Sequence, residues 1–145
     1  MLYVVTGPPG AGKSSWIRAH AKPTDIVIDL DLMALAMAGP GADHHNHSET
    51  LLKVVHRARF AALREAELHI DTTDVYVIQT LPSAKQRAQY KRLKARIVTV
   101  DPGRDIVMQR IADMRQPAMK AVATKWYRAN RGRSHSAMPQ ASRDW

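Results

Sequence analysis

A chain of 145 residues, 45% hydrophobic and 24% charged, has the size and balance of one domain with a single core. It contains no cysteine, which excludes disulfides and thiolate chemistry and is compatible with a reducing cytoplasm. Its 22 Lys and Arg against 13 Asp and Glu give a net charge of +9, which favours a polyanionic partner such as nucleic acid. No apolar run reaches the roughly 18–20 residues that span a bilayer, and the first residues lack the basic segment of a signal peptide. A cytoplasmic protein with no membrane partner is therefore expected.

Met1-Leu2-Tyr3-Val4-Val5 is short, apolar and β-favouring, and predicts a buried strand. Gly7-Pro8-Pro9-Gly10-Ala11-Gly12-Lys13-Ser14 follows and fits G-x-x-x-x-G-K-[ST] at every fixed position, the pattern of a phosphate-binding P-loop. Ser14 to Ala21 can continue as a helix, so strand, loop and helix stand in the order the motif needs. The glycines let the backbone curl with positive φ and approach phosphate oxygens. Successive N–H groups then point inward at the positive end of a helix dipole. Lys13 can reach the β- and γ-phosphates, the Ser14 hydroxyl can ligate Mg²⁺, and Ser15 is a spare hydroxyl of the same nucleotide site.

Lys22-Pro23-Thr24-Asp25 breaks the first helix, and Ile26-Val27-Ile28 predicts a second buried strand. It ends at Asp29-Leu30-Asp31, before an apolar helix over 32–37 that Gly39-Pro40-Gly41 stops. Asp43-His44-His45-Asn46-His47 is a polar loop whose spacing is not zinc-like, so a substrate-facing loop is expected there. Ser48 and Glu49 open a long amphipathic helix to about residue 68, with Leu51, Leu52, Val55, Ala62 and Ala66 on one face and Lys53, Arg57, Arg59 and Arg64 on the other. Val75-Tyr76-Val77-Ile78 is a third strand, Ser83 caps a helix to about Lys91, and Arg96 to Val100 is a fourth strand. Asp101-Pro102 reads as an N-cap followed by Pro at the first helical position, opening a helix to about Met114. Pro117 starts another helix, to about Ala129.

A P-loop domain is thus expected over 1–130, and a basic, extended and flexible tail over 131–145. Four short buried strands alternating with helices predict an α/β fold, a parallel sheet covered on both faces. Right-handed crossovers then put all strand carboxyl ends on one rim, where ligands bind in open α/β sheets. The P-loop, Asp29 and Asp31, Gln79 and Thr80, and Asp101 all fall on that rim.

A carboxylate after the second strand of a P-loop protein faces the γ-phosphate and can accept the proton of an attacking hydroxyl. Asp31 is favoured as this base, with Asp29 the alternative; the other member can assist Mg²⁺ or cap the next helix. Mg²⁺ is expected on Ser14 and Asp31. Lys13 alone cannot neutralise a transferring phosphoryl group, and Arg110 and Arg115 are candidates to fold over it. Lys85, Arg87, Lys91, Arg92, Lys94 and Arg96 form a run with no acid among residues 82–100. Trp126-Tyr127-Arg128, with Arg131, Arg133 and Trp145, mixes cations with rings able to stack on bases. One of these two patches is expected to touch nucleic acid.

On the glycine pattern of Gly7 to Ser14, the Asp within Asp29-Leu30-Asp31 and the arginine pair Arg110-Ile111-Ala112-Asp113-Met114-Arg115, the chain resembles the small P-loop kinases of the polynucleotide-kinase type. The resemblance covers about residues 1–130. It implies ATP and Mg²⁺ as cofactors, Asp31 or Asp29 activating a hydroxyl, and Arg110 and Arg115 clamping the phosphates. It implies an acceptor hydroxyl on nucleic acid, with DNA favoured: a 5′ end, or the hydroxymethyl group of a modified base as in related phage enzymes. The chain departs from the pattern at Ile78-Gln79-Thr80, which lacks a Walker B aspartate, and after Pro117, where no apolar fifth strand is evident. The second departure leaves GTP open beside ATP. The alternatives are a kinase of nucleosides, nucleotides or other small metabolites, and an ATP-binding, DNA-associated switch that is not a kinase.

Overall fold

The computed structural model describes residues 1–44, 46–114, 116–131 and 140–142. In chain order the elements are β1 (Leu2–Thr6), α1 (Lys13–His20), β2 (Ile26–Ile28), α2 (Leu30–Met37), α3 (Glu49–Glu67), β3 (Val75–Ile78), α4 (Ala84–Arg92), β4 (Arg96–Thr99), α5 (Arg104–Asp113), α6 (Ala118–Ala129) and β5 (Gln140–Ser142). The strands lie in the order β2-β3-β1-β4-β5. β1 to β4 are all parallel, which puts their carboxyl ends on one rim, as expected.

The alternation along β1 assigns its side chains to two cores. Leu2 and Val4 face the layer built with Val75, Val77 and Ile97, covered by Ala66 of α3 and Tyr90 of α4. Val5 faces the opposite layer, with Val98, Ile17 of α1, Val107 and Ile111 of α5, and Ala123 of α6. Near-continuous apolar strands are what a parallel sheet covered on both faces demands. The α3 start is read correctly from sequence: the Ser48 hydroxyl accepts the Leu51 N–H at 3.2 Å. At α4 the Ser83 and Gln86 side chains form a complete capping box.

Four expectations need correction. First, a fifth strand exists: β5 pairs antiparallel with β4, Thr99 opposite Gln140, inside the stretch expected to be an extended tail. Gln140-Ala141-Ser142 has no apolar period, and what selects it is the row of backbone groups along the outer edge of β4. Second, α5 starts at Arg104 behind Gly103, with no side-chain cap. Asp101 stays outside the helix, where its Oδ1 accepts the Gly103 N–H at 3.0 Å and the Tyr127 hydroxyl at 2.7 Å. Third, Trp126 is core, 1% exposed, and no base can stack on it. The Tyr127 ring lies against Trp126 and the Arg104 guanidinium, so the C-terminal aromatic patch holds α6 in place. Arg133 and Trp145 of that patch lie outside the described residues. Fourth, Arg59 leaves the solvated face of α3 and donates to the Ile78 carbonyl at the end of β3, at 2.8 Å.

Candidate active site

The P-loop joins β1 to α1 by a path that takes positive φ at Gly7, Gly10 and Gly12. Gly7 has φ +150, and a Cβ there would lie 2.1 Å from the Val100 carbonyl oxygen of the neighbouring strand end. Gly12, the residue before α1, has φ +97. Pro8 is buried and Pro9 half-buried, and the turn is closed by the Ala11 N–H on the Pro8 carbonyl at 3.3 Å. The Lys13 ammonium is folded back over the loop, donating to the carbonyls of Gly7 and Pro8 at 2.8 Å each. Burial pulls its pKa down from 10.5 to about 8, against the opposing fields of Asp29 and Asp31. Such an ammonium gains from any phosphate brought beside it.

The tip of β2 brings in the carboxylates, and it separates them. Asp29 is buried, 4% exposed, and caps α2: its Oδ1 accepts the Asp31 N–H at 3.0 Å. Its Oδ2 accepts the Ser14 hydroxyl at 2.7 Å. Of the two aspartates it is thus Asp29, and not the Asp31 expected beside Ser14, whose carboxylate bonds the Ser14 hydroxyl, since one oxygen caps α2 and the other is left to face α1. Hydroxyl plus carboxylate is the hard, all-oxygen donor set that Mg²⁺ takes. Asp31 faces outward with a side chain 56% exposed, and its Oδ1 meets His47 Nε2 at 3.2 Å. Ser15 is exposed on the first turn of α1, its hydroxyl accepting from Arg18 at 3.1 Å.

On the other flank, α5 lies over the loop. A Cβ on Gly10, whose φ is +75, would sit 3.7 Å from the Cβ of Arg110 and from Ile111. Arg110 Nη1 donates to the Gly10 carbonyl at 3.0 Å, so this sequence-distant cation belongs to the P-loop. Arg115 lies outside the described residues. At the end of β3, Gln79 accepts the Tyr90 hydroxyl, and Thr6 donates to the Thr80 carbonyl at 2.9 Å. Burial pushes the Tyr90 phenol up to about 12, so it stays a donor. Between α1, β2 and α2 a cavity of about 320 Å³ opens beside Ser14 and Asp29, walled by Ile17, Val27 and Leu32 with Arg18 and Lys22 at its edge.

Residues 2–137 match the family described as AAA domain. The chain belongs to that family. A chain in the structure of the Pnkp1/Rnl/Hen1 RNA repair complex superimposes on this AAA-family domain with a TM-score of 0.60, at 17% identity, over 97% of this chain and 47% of that one. The domain thus spans about half the length of that neighbour, and the likeness is one of fold. A search of curated proteins gave no match. Among the described residues of the domain no helix is long and apolar enough to cross a membrane.

Of the residues named from the sequence, the structure of this AAA-family domain brings Asp29 and Arg110 into contact with the P-loop, and sets Asp31 at the neighbouring helix start. Sequence reasoning missed the contact between His47 and Asp31, although His47 stands directly before the N-cap Ser48. It also missed Arg59, which reads as one cation of a helix face until β3 is seen beside it.

Proposed function

We propose that the protein is a kinase that transfers the γ-phosphate of a nucleoside triphosphate, ATP or alternatively GTP, to a hydroxyl of nucleic acid. The observation that carries this reading is the division of labour at the tip of β2. Buried Asp29 is bonded to the P-loop hydroxyl, and Asp31 stands exposed where an acceptor can reach it.

The residues then act as follows. The loop N–H groups at the start of α1 bind the phosphates. Lys13 leaves the Gly7 and Pro8 carbonyls for the β- and γ-oxygens. Arg110, already at the Gly10 carbonyl, adds a second positive charge, and Arg115, further along the same segment, adds a third. Asp31 takes the proton of the acceptor hydroxyl as its oxygen bonds to the γ-phosphorus. The bond from that phosphorus to the bridging oxygen breaks, and its electron pair leaves on the nucleoside diphosphate. Mg²⁺, where bound, would be held by Ser14 and the phosphates with Asp29 behind them, and would supply further charge neutralisation.

A nucleic-acid acceptor is supported by the net charge of +9 and by Lys85 and Arg87, which the start of α4 sets at the same rim. The fold neighbour from an RNA repair complex supports RNA beside DNA as the acceptor. A small acceptor is the second reading, because the cavity beside Ser14 and Asp29 has room for one nucleoside-sized group. The test is γ-labelled ATP offered to 5′-hydroxyl DNA, 5′-hydroxyl RNA, a hydroxymethyluracil duplex and free nucleosides. Label should enter an oligonucleotide, fall steeply with salt and vanish in Lys13→Ala. Salt-insensitive label in a nucleoside would instead establish the second reading. Release of labelled phosphate whatever the acceptor, with none transferred, would make the protein a switch and refute both.

A further inference from the structure

Two capped helix starts meet at the acceptor side of the rim. Asp29 caps α2 and so fixes the backbone of Asp31. Ser48 caps α3, accepting from Leu51 and, through its carbonyl, from Leu52, and so fixes the backbone of His47. α3 is a helix of 19 residues anchored in the core through Val55 and Ala66. The side chains of Asp31 and His47 are thereby carried toward each other across the loop over 38–47. Their environments are opposite: the His47 side chain is 4% exposed and that of Asp31 56%.

We infer that His47 is the positioning residue of the base, holding the Asp31 carboxylate by one oxygen so that the other faces the acceptor hydroxyl. An ionised carboxylate can only accept, so the proton in this contact sits on His47 Nε2. The 3.2 Å bond ends on Oδ1 and leaves Oδ2 to take the proton from the substrate. Without the imidazole, an exposed Asp side chain samples several rotamers, and only some aim an oxygen at the γ-phosphate. The buried ring spends its own freedom on packing, which makes it a stiff support for a mobile carboxylate. This inference rests on the kinase reading and adds the means by which its base is aimed.

The test is a double-mutant cycle on phosphoryl transfer, joined to a proton spectrum that needs no turnover. His47→Ala should lower kcat about 10-fold with KM for ATP within about 2-fold, and His47→Gln, which keeps a donor, should recover most of the loss. In an Asp31→Asn background the same His47→Ala change should cost less than about 2-fold. Equal losses in both backgrounds would overturn the inference and leave His47 a packing residue, as would a full kcat in His47→Ala. The imidazole Nε2–H should give a slowly exchanging, downfield resonance in the wild type and in inactive Lys13→Ala, and this resonance should move in Asp31→Asn. If the resonance is absent from an active kinase, the inference fails alone. If it is present and the wild type labels no acceptor, the kinase reading has failed and the positioning role falls with it.

Discussion

The two flanks of the proposed γ-phosphate position are built in different ways. The cradle flank is a backbone path, Gly7 against the Val100 carbonyl and Gly12 before α1, to which the Arg110 side chain is tied through the Gly10 carbonyl. The acceptor flank is side chain: Asp31 and His47 reaching across a loop from the starts of two helices. Triphosphates share one shape, so a rigid peptide cradle serves them all. Acceptors differ, and a flank made of side chains on a loop can change its substrate without disturbing the cradle. Mutations should therefore separate the flanks, affecting binding and stability on one and turnover on the other.

The largest separation is expected at the carboxylates. Asp31→Asn should lower kcat by about 10²-fold or more with ATP affinity within about 2-fold, because it removes a proton acceptor and leaves the phosphate contacts intact. Asp29→Asn should do the reverse in part, raising the Mg²⁺ requirement through Ser14 while its remaining oxygen keeps the cap on α2, so that stability changes little. Titration of activity with Mg²⁺, beside thermal melts of the two variants, reads both. If Asp29→Asn alone abolishes turnover at saturating Mg²⁺, the base has been placed on the wrong carboxylate.

Next comes the cradle itself. Gly7→Ala would put a methyl group 2.1 Å from the Val100 carbonyl oxygen at φ +150, so β1 and β4 must part at the rim. A loss of about 3 kcal/mol in urea unfolding is expected, together with loss of nucleotide binding. A methyl group at Gly39 meets nothing within 4 Å, and Gly39→Ala is the matched control that should leave both unchanged. A Gly7→Ala variant as stable as the wild type would mean that the loop is looser than its close approach to Val100 implies.

The same contrast explains what the sequence disclosed. A backbone cradle has to be written in glycine, and a motif of fixed spacing exposes it, so Gly7 to Ser14 could be read without a structure. The sheet was legible because parallel strands buried on both faces show as unbroken apolar runs at Leu2, Ile26, Val75 and Ile97. Strand β5 was not, since Gln140-Ala141-Ser142 is recruited by the open edge of β4 and carries no pattern of its own. Arg110 was found by its place after the fourth strand, but its bond to Gly10 spans 100 residues and has no local signature. Asp29 and Asp31 were both visible as rim carboxylates, and only the geometry of the α2 cap decides which of them turns inward to Ser14.

The smallest expected effect sharpens the comparison, because it runs through a group that both flanks act upon. Burial holds Lys13 at about 8 instead of 10.5, while the fields of Asp29 and Asp31 oppose the shift. Above about pH 8 the folded chain has released a proton that the unfolded chain still binds, so the free protein should become more stable as pH rises from there. The window closes at about 9.5, where tyrosines begin to ionise in the unfolded chain. A bound triphosphate sets negative oxygens against the ammonium and keeps it charged, so binding in this window takes up a proton. Affinity should therefore fall with pH, by at most about tenfold per unit, while the stability of the free protein rises. Calorimetric titration with ATP from about pH 7.5 to about 9.5 measures the first slope, and urea melts without nucleotide measure the second. Lys13→Met should flatten both. In Asp31→Asn the lysine loses a carboxylate that favours its charge, so the fall in affinity should begin at lower pH. A fall that begins at the same pH in that variant would mean that the acceptor flank exerts no field on the cradle, and that the two sides of the site are electrostatically independent.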